Sequence, residues 1–159
     1  MLDIRELHQN IVQLNDHYGY LKEGFDKFGK LMVSRFQSAN SSRLGVKVLL
    51  KLDENYFDIK FLDRTFRFVF STKINQKATL DGIVHCRSID ELNKKYIKIG
   101  EFSFDGNGRT TVGPVNNPLS LYDETASSYI LLHYIYEGVI GDQGLQIDMS
   151  LALDEEDEE

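Results

Sequence analysis

Ile4, Leu7, Ile11, Leu14, Tyr18, Leu21, Phe25, Phe28 and Met32 recur at alternating intervals of three and four residues, an unbroken register from residue 4 to residue 32. This spacing predicts one long helix over residues 1–36 with a single apolar seam, which must be covered by a partner helix or by the rest of the fold. The flanking positions His8, Asn10, Asn15 and His17 carry no Glu/Lys pairing code, so charge does not select the partner. Gly19, Gly24 and Gly29 each cost the helix roughly 1 kcal/mol relative to Ala, so packing has to hold the segment together. Glycines beside Tyr18, Tyr20, Phe25 and Phe28 further predict a close backbone approach to a sheet or to a twin helix. The first half of the seam, Ile4, Leu7, Ile11 and Leu14, is the expected homodimer contact.

At 159 residues the chain has the length of a single domain, able to bury roughly 70% of its unfolded surface without staples. One cysteine, Cys86, excludes an internal disulfide, and Met1-Leu2-Asp3 does not begin a secretory signal, so the expected location is cytoplasmic. No apolar run reaches the ~20 residues that span a bilayer, and no membrane partner is expected. The net charge of −7 is unevenly distributed: residues 1–100 hold 17 Lys and Arg against 12 Asp and Glu, whereas residues 101–159 hold 1 against 13. A basic body joined to an acidic end permits either a solubilising tail or a segment that competes for a basic face.

Beyond a polar connector at residues 37–43, the apolar period changes from the helical value to two. Residues 45–113 read as an antiparallel meander of about six strands: Val46–Leu52, Phe57–Phe61, Phe66–Phe70, Leu80–Cys86, a stretch from Tyr96 to Phe104, and Arg109–Val112. Val48, Leu49 and Leu50 in succession suggest a first strand buried on both faces. Turns are expected at Asp53–Asn55, at Asp63-Arg64, at Asn75–Lys77 and at Asp105–Gly108, where Asn-Gly accepts positive φ. Ser88 with Glu91 reads as a capping box for one helical turn, and the phase slip between Ile99 and Phe102 as a bulge at Gly100. Residues 120–140 form a helix apolar around most of its circumference, begun by a Ser120/Asp123 cap and stopped by Gly138, Gly141 and Gly144, and so expected to be buried. Leu145, Ile147, Met149, Leu151 and Leu153 alternate as a final edge strand over 145–153, before a disordered acidic tail at 154–159. The expected class is therefore α+β, a single domain over 1–153.

The chemistry-bearing motifs are few. Asp105-Gly106-Asn107-Gly108-Arg109 is similar to the core of the Fic motif (HPFxDGNGR), but the position of the motif's histidine is Glu101, so the base is absent and the residues read as a hairpin turn. The same loop fails as a calcium loop, because position twelve is Asn116 instead of a bidentate Glu, and no GxxxxGK[ST] phosphate loop occurs. His8, His17, His85 and His133 lack metal-ligand spacing, and His85 and Cys86 are adjacent in a strand, so they face opposite ways. No catalytic, metal-binding or cofactor-binding set can be named, and the chain is read as a non-enzyme without a cofactor.

Bases and tyrosines mix along the middle strands, and Lys60, Arg64, Arg67 and Tyr96 form a possible nucleic-acid face, since cations that track a backbone and aromatics that stack on bases suit single strands. In layout the chain resembles the small acidic dimeric chaperones of secretion systems and bacterial immunity or adaptor proteins. The resemblance implies a protein-binding homodimer, and this is the primary expectation. Single-stranded nucleic-acid binding, with the acidic tail as competitor, is the alternative.

Overall fold

The opening seam is realised as one α-helix, α1 (Ile4–Gln37), and the alternating stretches as one antiparallel sheet. Its strands are β1 (Lys47–Lys51), β2 (Tyr56–Phe61), β3 (Arg64–Ile74), β4 (Leu80–Asp90) and β5 (Lys95–Phe104), neighbours in space in the order of the chain. A second helix, α2 (Glu124–Ile147), completes the α+β architecture. The structure is a computed structural model and describes residues 3–37, 42–90 and 92–147.

Alternation decides which sheet face is covered. Phe57 and Ile59 on β2, Phe66, Phe68 and Phe70 on β3, Val84 and Cys86 on β4, and Phe102 and Phe104 on β5 point to the same side and are buried. They meet Leu21, Phe25, Phe28, Met32 and Phe36 of α1 and Ile130, Leu131 and Ile135 of α2. Each such side chain contributes roughly 1.5–3 kcal/mol when fully withdrawn from water. Aromatic rings dominate the contact: Phe57 stacks on Phe68 with centroids 5.3 Å apart, and Phe28 meets Phe57 edge-on at 5.3 Å. Gly29 gives α1 its close approach to the sheet, because a Cβ there would lie 3.1–3.3 Å from Leu50, Leu52 and Phe57.

α2 runs antiparallel to β5. Near its start Tyr122 packs on Gly108, in its middle Tyr134 packs on Gly100 and donates to the Glu101 carbonyl at 3.2 Å, and further on Gly138 faces Ile99 and Phe66. The C-terminal end of α2 is thereby carried toward the Lys95 end of β5.

The sheet differs from the sequence reading in definite ways. Among the described residues it has five strands, because Arg109–Val112 makes only isolated bridges, Phe104 with Thr110 and Arg109 with Ser120. β1 is half-buried on one side, at Val48 and Leu50, with Leu49 exposed on the other. Ser88 does not cap a helix: β4 continues to Asp90, whose carboxylate accepts from the Leu92 and Asn93 backbone amides and closes a turn. The β2–β3 turn is Leu62-Asp63, one residue earlier than expected, with both residues at positive φ. Between Cys86 and Arg87 the β4–β5 register slips by one, which makes Ile99, beside Gly100, the bulged residue.

Asp123 caps α2, its Oδ1 accepting from the Ala126 amide at 2.8 Å, and the helix passes through Gly138 and Gly141 to Ile147. Gly138 does not end the helix because its missing side chain is the space that Ile99 and Phe66 fill. Residues 145–147 are thus helical, while the rest of the expected final strand and the acidic tail lie outside the described residues. α2 is also not buried all round, since Tyr129, Tyr136 and Ile140 are exposed.

Candidate functional site

The helices cover one sheet face, and the register assigns every residue of the other. Running from β1 to β5, one row is Lys47, Lys60, Thr65, Ile89, Tyr96. The next is Leu49, Asp58, Arg67, Arg87, Lys98, and the third is Lys51, Tyr56, Val69, His85, Glu101. With Lys73 opposite Asp81, this open face holds seven Lys and Arg against three acids. Its cations also stand opposite one another: Lys47 faces Lys60, Arg67 faces Arg87, and Arg87 faces Lys98. Like charges in directly opposed cross-strand positions are destabilising.

Part of this charge is neutralised locally. Arg67 makes a bidentate pair with Asp58, at 2.8 and 3.0 Å, and its guanidinium lies 3.9 Å from the centroid of the Tyr56 ring. Lys98 bonds Glu101 at 3.0 Å and holds that carboxyl below the usual carboxylate range. Arg87 has no carboxylate partner among the described residues.

The four residues expected to form a nucleic-acid face are distributed unequally. Lys60 and Tyr96 lie in one row of the open face, and Arg67 lies in the next. Arg64 is opposite Phe61, and the tight Leu62-Asp63 turn fixes that register, so it has the parity of the helix-covered side. Lys60 and Arg64 nevertheless border the same open groove of about 720 Å³ at the end of the sheet, with Lys47, Thr65 and Asp90.

A polar cluster unforeseen in the sequence lies in the middle of the face. Ser71 Oγ is 2.9 Å from His85 Nε2, and His85 Nδ1 is 3.4 Å from a Glu101 carboxylate oxygen. Burial lowers the His85 pKa, and Arg87 and Lys98 act in the same direction against the opposing pull of Glu101. The residue order matches a nucleophile, base and orienting acid. Acyl-transfer chemistry would also need donors aimed at a developing oxyanion in a water-excluded site, and this cluster sits on a solvated sheet face with Glu101 shared by Lys98. Cross-strand pairing brought these residues together, and only knowledge of the register, Val69 to His85 to Glu101, could have revealed it.

Cys86 points to the opposite side, and burial pushes its thiol far up. No group of three or more His, Cys, Asp or Glu able to hold a metal occurs among the described residues. No described helix is long and apolar enough to cross a membrane.

The second candidate surface is the first half of α1. Leu21, Phe25, Phe28 and Met32 are completely buried, whereas in the same seam Ile4 is 87%, Leu7 49% and Ile11 59% exposed, and Leu14 is half-buried. Further along, His17 Nδ1 accepts from the Leu80 amide at 3.3 Å, and the Tyr18 ring lies 5.7 Å from that of Phe70. No protein-family model, curated protein or solved structure matches the chain.

Proposed function

We propose that the protein is a non-enzymatic, cytoplasmic protein-binding module, adaptor-like in role, that pairs with a second copy of itself through Ile4, Leu7, Ile11 and Leu14. The observation that carries this reading is the change of environment along one seam: the same register that is fully buried from Leu21 to Met32 is bare from Ile4 to Ile11. A second copy withdraws from water the exposed parts of these side chains on both chains, and that apolar burial is the favourable contribution set against the cost of association. The seam is flanked by His8, Asn10 and Asn15, so two identical helices meet without a row of like charges.

The test is the Ile4→Ser/Leu7→Ser/Ile11→Ser variant. These side chains are exposed and outside the core cluster, so the variant keeps the unfolding midpoint of the monomer fold while its sedimentation coefficient falls to that of one chain. Equal sedimentation of variant and parent as single chains removes the proposed role.

A further inference from the structure

We propose that the open face of the sheet is the docking site of the chain's own acidic segment, Asp154–Glu159. This inference does not rest on helix pairing. It starts from Arg87, which has no carboxylate partner among the described residues and stands between Arg67 and Lys98, and from the Lys47–Lys60 pair, so that three oppositions of like charge are built into one face. Nothing in the fold requires them, because the side chains project away from the core. A polyanion laid across the strands removes the repulsion.

The acidic segment fits that face in charge, length and position. Residues 154–159 are Asp-Glu-Glu-Asp-Glu-Glu, six consecutive carboxylates. Extended, six residues span roughly 20 Å, and four strand spacings from β5 to β1 span roughly 19 Å. α2 delivers the chain to the right place, since it runs antiparallel to β5 and ends at Ile147, beyond the level of Ile99. The seven residues from there to Asp154 reach roughly 23 Å, enough to pass from the helix layer around β5, roughly 10 Å, and onto the open side. The first cations met are Lys98 and Arg87, followed by Lys60 and Lys47 toward β1.

Nitrogen-15 NMR tests the assignment with the full chain and a chain lacking residues 154–159. At ~0.01 M salt, where charges act over roughly 30 Å, removal of the segment is expected to shift the resonances of Lys60, Arg87 and Lys98 while those of the α1 core residues stay in place. A free peptide of the same six residues restores them, and ~1 M salt, with screening over roughly 3 Å, erases the difference. In an Arg87→Ser/Lys98→Ser chain the same truncation shifts nothing on this face. Superimposable spectra at low salt overturn the proposal, as do shifts confined to another surface. A labelled oligothymidylate bound equally well by the full and truncated chains also overturns it, by making a nucleic acid the occupant of a face that the segment leaves open.

Discussion

His85 shows how one residue converts its surroundings into a measurable pH dependence. Its folded pKa is lowered, chiefly by burial, while an unfolded histidine titrates near about 6.5. Between the two values the unfolded chain binds more protons, so stability is fully present above about pH 6.5 and is lost as the pH falls through the folded value. Urea midpoints of the parent and of His85→Gln, compared from about pH 7.5 down to about pH 5, should converge on acidification; a gap that is constant or widens contradicts the assigned environment. Arg67 illustrates the opposite case of a group already satisfied, held by Asp58 on one side and stacked over Tyr56 on the other. Neither arrangement was legible in the sequence, because both depend on which residues of neighbouring strands stand opposite, and a single-residue change of register would send them to the other face.

At the level of elements, two sites carry quantifiable strain or fit. Leu62 and Asp63 both adopt positive φ in the two-residue β2–β3 turn, which favours Asn-Gly over β-carbon-bearing residues. Replacing them with Asn and Gly is expected to raise stability by about 1–2 kcal/mol in a urea melt, and no gain would mean that the turn is not the two-residue form described. Gly82 is the reverse, a position where a Cβ would lie 2.4 Å from the buried Phe104 ring. Gly82→Ala should cost about 1–3 kcal/mol, and a neutral result would show that Phe104 is free to move aside. Local chemistry revealed the meander, since the alternations of Phe57 to Phe61 and Phe66 to Phe70 and the Asn75 and Asp105 turns are written in consecutive residues. It misled where a tertiary contact overrode it: Gly138 reads as a helix stop until Ile99 and Phe66 are seen to need its space, and Ser88 reads as a cap until β4 is found to run past it.

For the whole molecule the governing fact is a mismatch of lengths. α1 has 34 residues, roughly 51 Å, whereas the longest strands have 11, roughly 36 Å. A helix laid on this sheet must overhang it, and the overhang bears the apolar seam. The sequence shows the seam plainly but not where cover stops, because its two halves follow the same three-four spacing and only the extent of the sheet separates them. In the proposed dimer a second copy covers the bare half, and the apolar overhang is the binding surface. Sedimentation velocity of the unmodified chain, from about 1 to about 100 µM around a micromolar dissociation constant, tests this most directly. The account predicts a concentration-dependent boundary that approaches twice the chain mass, and a single species of one chain mass throughout that range would contradict it.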